Sequence, residues 1–289
     1  MDLSSNMEIK GLLDISPGRL YEAFAEAFKD YEMQLDQGGL ERMLKRRGFD
    51  PQLSFGAFDD DKLVAFTFNG TGNFQNTPTA YDTGTGTIAE YRGRGLASEI
   101  FYHSIPFLKK AGIRNYLLEV LQHNNSAVNL YKKLGFKITR EFNYYVRDKG
   151  SLYFHTRPLD SVYSMETVEI PELIAATDFS DIHPSWQNNN SSISRAVEEL
   201  KAKAVWASGS IVAYCIYEPS SGDITNLAVS HEHRRKQIGK HLLASAIRDS
   251  AATQVKVINI PTDAEGIIAF LNSCGMPPTG KQYEMIRAL

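Results

Sequence analysis

The chain has 289 residues, 31 Lys and Arg against 34 Asp and Glu, a formal net charge of −3 and only two cysteines. That length allows two domains of ordinary size. The near-neutral balance argues against a dedicated polyanion partner, and no apolar run is long enough to cross a membrane, so neither nucleic acid nor a membrane is expected as partner. Two isolated cysteines suit reduced thiols in a cytoplasmic protein, and no His/Cys cluster has metal-ligand spacing.

In chain order, Met7 to Asp14 reads as a short strand, Pro17 to Lys29 as a helix with Leu20, Phe24 and Phe28 on its apolar face, and Gly38 to Arg47 as a second helix. Leu53 to Phe58 and Leu63 to Asn69 read as strands joined by the charged turn Asp59-Asp60-Asp61-Lys62. Thr79 to Asp82 and Thr83 to Ile88 have strand composition and run into the glycine-rich turn Arg92-Gly93-Arg94-Gly95. Leu96, Ala97, Ile100 and Phe101 then recur at helical spacing, with Pro106 expected to kink or split that helix. Asn115 to Leu121 reads as a buried strand, and Ala127, Leu130, Tyr131 and Leu134 share one helical face between an Asn124 N-cap and a Gly135 stop. Ile138 to Arg147 and Ser151 to Thr156 are expected to pair as a hairpin.

The turn before Leu96 has the makings of an anion site. A helix start leaves backbone N–H groups free and favours negative charge, Gly93 and Gly95 permit close approach, and Arg92 and Arg94 add positive charge. The same residues serve a plain strand-to-helix turn with solvated arginines. The spacing matches neither the P-loop nor the dinucleotide fingerprint.

It does match R-x-x-G-x-A, at Arg92, Gly95 and Ala97, and so resembles the pyrophosphate loop of the GNAT acyltransferases. Downstream, N-x-x-A-x-x-L-Y-x-x-x-G-F from Asn124 to Phe136 resembles the second acetyl-CoA segment of that family. The resemblance implies that Thr87, Ile88 and Ala89 hydrogen-bond the pantetheine arm, that Arg92, Gly93, Arg94, Gly95, Leu96 and Ala97 hold the pyrophosphate, that Asn124 contacts the arm, and that Tyr131 protonates or hydrogen-bonds the departing sulfur. Val and Pro often stand in the family where Thr87 and Ala89 stand here, changes that spare the backbone groups. An attacking amine must be neutral, which for a lysine-like amine at pH 7 costs about 4–5 kcal/mol. Asp82 and Glu119 are the candidate bases, with His123 behind them, against the plainer readings of a sheet contact, a solvent-facing carboxylate and a loop histidine.

A weaker copy follows. Leu227 to Gly239 again reads strand, basic loop, helix, and Arg234 lies 142 positions after Arg92. Here Gln237 replaces Gly95, and aligning Gly275 with Gly135 puts Leu271 and Ala264 where Tyr131 and Asn124 stand. The expectation is therefore two tandem α/β (α+β) folds of GNAT type, each a mixed, mostly antiparallel twisted sheet flanked by helices: residues 1–160 catalytic and acetyl-CoA-binding, residues 165–289 degenerate. Within the second, Ile182 to Ser192 reads as a loop, Ser192 to Ala202 as a helix, and Ala204 to Ala207 and Ile211 to Glu218 as strands. Trp186 is read as local packing or as a wall of the acceptor cleft. The implied reaction moves acetyl from acetyl-CoA, as co-substrate and without a metal, to a primary amine of a small molecule or peptide in a ternary complex. A non-catalytic acyl-CoA sensor is the other reading, and a homodimer stays open. Tyr21 to Asp36 and Phe142 to Tyr153, rich in aromatics, are the expected acceptor walls.

Overall fold

The structure, a computed structural model, describes residues 7–31 and 34–289, so Glu32 and Met33 of the expected acceptor wall lie outside it. It divides into two compact units. Unit 1 takes in residues 1–120, 124–139 and 284–289, and unit 2 residues 121–123 and 140–283. Residues 140–160 are thus in unit 2, and the last six residues of the chain are in unit 1.

In unit 1, β1 (Met7–Gly11), β2 (Phe55–Asp59), β3 (Lys62–Phe74) and β4 (Thr77–Thr87) pair antiparallel in sequence. The turn at Asp60-Asp61 forms as its composition predicts. The β3–β4 hairpin, which turns on Gln75 and Asn76 with φ of 49° and 61°, was not foreseen. Strand β5 (Asn115–Leu121) is parallel to β4, and residues 284–289 of β12 (Gly280–Ala288) lie beyond it. Helices α1 (Pro17–Ala27) and α2 (Gln37–Arg47) start on Ser16 and Asp36, whose side chains accept from Arg19 and Gly39 N–H. Leu20, Phe24, Leu40 and Leu44 bury against Phe66 and Phe68 of β3. Burying such a side chain stabilises by roughly 1.5–3 kcal/mol.

Helix α3 (Leu96–Lys110) keeps Pro106 inside one unbroken span. The expected split does not occur: the missing N–H leaves the Tyr102 carbonyl without its helical partner, and Tyr102 is among the exposed residues, where water can serve it. Helix α4 (Asn125–Lys133) follows β5.

Unit 2 repeats the plan, with strand order β6-β11-β10-β9-β8-β7. Its strands are β6 (Lys137–Asp148, from residue 140), β7 (Ser164–Val168), β8 (Lys201–Ala207), β9 (Ser210–Glu218), β10 (Asp223–Val229) and β11 (Gln254–Pro261). Only β10–β11 is parallel among the registered pairs. Its helices are α5 (Ile170–Ala176), α6 (Asn190–Arg195), α7 (Ile238–Asp249) and α8 (Glu265–Ser273). Two sequence expectations fail here. Residues 152–156 form no strand, because β6 pairs with β11, Asp148 opposite Gln254, rather than with its own continuation. The helix expected to Ala202 stops at Arg195, because residues 201–207 are drawn into the sheet against β9. Trp186 is fully buried within unit 2, as a packing residue.

Candidate active site

Strands β4 and β5 pair only at Thr79↔Asn115, Ala80↔Tyr116 and Tyr81↔Leu117, while β4 runs on to Thr87. Beyond Tyr81 the two strands form a fork. Pairing with β3 skips Thr83: Phe68 faces Gly84 and Asn69 faces Asp82, so Thr83 is a bulge residue. Strict alternation would set Asp82 with Gly84 and Gly86 on the α1 side. The extra residue instead places Asp82 on the same face as Thr85, whose hydroxyl donates to Asp82 Oδ2 at 2.8 Å.

On that face Tyr131 of α4 donates its hydroxyl to Asp82 Oδ2 at 2.9 Å. A small cavity, with room for about one water molecule, is lined by Asp82, Thr85, Ala97, Tyr116, Leu130 and Tyr131 among others. Burial, then the Asp82 charge, holds the Tyr131 phenol well above its ordinary range. Burial also pushes the Asp82 carboxyl up, against the opposing effect of the Thr85 and Tyr131 hydroxyls, the nearby Gly84 N–H and the Arg47 guanidinium. Asp82 Oδ1 is buried without a hydrogen-bond partner.

Glu119 belongs to a different group. Its Oε2 accepts from the Tyr81 hydroxyl at 3.2 Å. Tyr81 is buried, and its phenol is raised well above the ordinary range by burial and by Glu119. Arg47, at the end of α2, donates to the Thr83 carbonyl at 2.7 Å. The two candidate bases are thus separated: Asp82 joins Tyr131, and Glu119 joins Tyr81, a residue the sequence reading passed over. Its only signal in the sequence is its place next to Asp82 on the strand. His123 is exposed.

The glycine turn has the expected form. Gly93 and Gly95 have φ of 78° and 83°, a Cβ on Gly93 would meet nothing within 4 Å, and Gly95 is the N-cap of α3. The N–H groups of Gly93 to Ala97 have no backbone acceptor outside helical bonds among the described residues. This loop fits a pyrophosphate by its backbone rather than by its arginines. Arg92 is turned back, Nε to the Thr87 carbonyl at 3.1 Å and Nη2 to the Ala27 carbonyl at 2.8 Å. Arg94 donates to the Glu90 carbonyl at 3.0 Å and stacks 4.8 Å over Tyr91. Ile88 N–H is taken by Val64 at 2.9 Å, whereas Ala89 N–H has no backbone acceptor among the described residues. Leu96 is buried. Asn124 caps α4, accepting from Ala127 N–H at 3.1 Å, and its Nδ2 donates to the Tyr31 hydroxyl at 2.7 Å. Gly135 ends the helix at φ 85°.

Two motifs far apart in sequence thus line one cavity. The acetyltransferase (GNAT) family model matches residues 19–136 and again residues 162–276. The chain belongs to this acetyltransferase family, as a tandem member.

The chain is 35% identical over 97 residues to N-alpha-acetyltransferase MAK3 of Arabidopsis thaliana, covering 33% of this chain and 51% of that protein, about half its length. It is 29% identical over 110 residues to N-alpha-acetyltransferase 30 of Schizosaccharomyces pombe, covering 37% of this chain and 73% of that one. Among solved structures, a tandem GNAT protein from the clavulanic acid biosynthesis pathway aligns with a TM-score of 0.74 at 14% identity, over 98% of each chain. A putative acetyltransferase from Pyrococcus horikoshii aligns at 0.66 and 15%, over 100% of this chain and 91% of that one. At such identities these two matches bear on fold alone.

The second GNAT repeat keeps the conformation of the loop and carries different side chains there. Strands β10 and β11 pair in parallel at Asp223↔Lys256. The loop before α7 holds its shape with Arg235 and Gln237 at φ of 63° and 66°. Gln237 Oε1 accepts from the Arg157 N–H at 3.1 Å, and His241 Nε2 lies 2.7 Å from the Arg157 carbonyl. The backbone of Arg157 therefore lies at this helix start. Leu271 is buried, and Ala264 begins α8 without a side-chain cap.

Proposed function

We propose that unit 1 transfers the acetyl group of acetyl-CoA to the α-amino group of a peptide N-terminus, by direct attack within a ternary complex. The observation that carries this reading is the cavity shared by Ala97, at the helix start of the glycine loop, and Tyr131, with the Tyr81–Glu119 pair close by on the neighbouring strands. Acetyl-CoA supplies an activated acyl carbon and a thiolate leaving group. The N–H groups of Gly93 to Ala97 hold the pyrophosphate, and Asn124 and Ala89 line the path of the arm. Glu119 takes the amine proton, directly or through Tyr81, and Tyr131 holds the proton needed by the departing sulfur. Unit 2 supports the fold and binds no CoA.

The names of the relatives favour an α-amine over other acceptors. The chemistry agrees. An α-amino group, with a pKa near 7.7–8.0, costs only about 1 kcal/mol to deprotonate at pH 7, against about 4–5 for lysine. A single partly buried carboxylate is enough for that.

Thiol release from acetyl-CoA over a panel of peptides with free N-termini, lysine side-chain amines, polyamines and aminoglycosides tests the reading. N-terminal peptides are expected to lead. A preference for any other amine class overturns the acceptor, and an unchanged rate in Tyr131→Phe overturns the tyrosine's role.

A further inference from the structure

Asp82 was a candidate to accept the amine proton, yet its carboxylate is bonded to the residue that faces the leaving group. Four observations define its surroundings. Tyr131 lies 2.9 Å from Oδ2, and Thr85 donates to the same oxygen at 2.8 Å. Oδ1 is buried with no partner. Asp82 and Tyr131 line one cavity with room for about one water molecule. The bulge at Thr83, to which Arg47 donates, turns Asp82 onto this face. A buried carboxylate with one oxygen unsatisfied is costly as an anion and much less so as a neutral acid.

We infer that Asp82 is the proton partner of Tyr131, recharging the phenol as it protonates the departing thiolate. This rests on the reading of Tyr131 above. In the working state Asp82 is a carboxylic acid whose O–H donates to the Tyr131 oxygen, freeing the phenolic O–H for the sulfur. The Tyr131 O–H bond breaks as the S–H bond forms, and the Asp82 O–H bond breaks as the phenol is restored. Asp82 ends as a carboxylate and regains a proton from solvent through the cavity. The amine proton leaves separately by Glu119, so each turnover releases one proton and takes up another, and the net reaction is amine plus thioester to amide plus thiol. The charged and titratable groups about Asp82 are Tyr131 from α4, Tyr116 from β5, Arg47 from α2 and its neighbour Tyr81 on β4. None of them is a carboxylate that could replace it.

The test uses the full chain with Asp82→Asn, which keeps an acceptor oxygen for Tyr131 and Thr85 but cannot shuttle a proton. With tyrosines carrying a ring ¹³C label, the Tyr131 signal is the one missing in Tyr131→Phe. In protein free of acetyl-CoA that signal is expected to titrate at lower pH in Asp82→Asn than in wild type, and an unmoved titration overturns the coupling. With an N-terminal peptide as acceptor, Asp82→Asn is expected to lower kcat about 10²-fold with the KM for acetyl-CoA unchanged, and to add no further loss in a Tyr131→Phe background. Losses that multiply in the double variant overturn the relay, as does a wild-type rate in Asp82→Asn. A wild-type rate in Tyr131→Phe overturns the parent reading instead.

Discussion

The Tyr81 hydroxyl donates to Glu119 Oε2 at 3.2 Å, joining two adjacent strands just where their pairing ends. If this pair serves the attacking amine, Glu119→Gln lowers kcat by about 10²–10⁴-fold and leaves the KM for acetyl-CoA near wild type. Tyr81→Phe gives a smaller loss. Steady-state kinetics on an N-terminal peptide would show this, and an unaffected Glu119→Gln enzyme would remove the carboxylate from the mechanism.

Asp82 should also register in stability. Its folded-state carboxyl is raised by burial, so the folded chain binds its proton more tightly than the unfolded chain does. The penalty is absent below the unfolded range, near pH 3.9, grows as pH rises through the folded value, and is complete above it. Asp82→Asn removes a carboxyl whose ionisation the fold disfavours and one of whose oxygens is buried without a partner, a feature worth about 1–3 kcal/mol. Its Tm is expected to exceed wild type at about pH 8, with the gap closing toward about pH 4. A constant gap in calorimetric scans would contradict the titration.

Acetyl-CoA should bind with a stoichiometry of one per chain by calorimetry. The intact chain is the right sample, since residues 284–289 belong to unit 1 and 140–160 to unit 2. Gly95→Gln reproduces in the first loop the residue of the second and sets a side chain at φ 83°. Saturable binding is expected to vanish, and a remaining site would place CoA in unit 2.

Gly86 is where α1 rests on β4. A Cβ there would sit 2.6 Å from Phe66 Cζ, 3.0 Å from Phe28 Cε2 and 3.1 Å from Ala27 Cβ. Gly86→Ala is expected to cost about 1–3 kcal/mol, lowering Tm by several degrees. Gly93→Ala, in open space, carries the penalty of its positive φ but no collision, and should cost less.

What the sequence disclosed was local. The cap on Asn124, the helix stop at Gly135 and the apolar face of α1 depend on neighbours a few positions away, and each formed as read. The pairing of β6 with β11 depends on partners over a hundred residues distant, and the hairpin expected at 151–156 gave way to it. The site divides the same way. Tyr131 and the glycine loop were legible as motifs. The separation of Asp82 from Glu119 was not, because one bulge at Thr83 decides which face Asp82 occupies. The engagement of Arg92 with Ala27 and Thr87 was equally hidden, since a guanidinium's partner is a matter of packing rather than of spacing.

The second loop keeps Arg235 and Gln237 in a left-handed conformation that glycine adopts freely and other residues adopt at a cost of about 1–3 kcal/mol each. Gln237 offsets part of that through its bond to Arg157. Arg235 is therefore a handle for protein engineering: with glycine there, the chain should withstand more heat and tolerate further substitutions, with turnover in the other repeat left as it was.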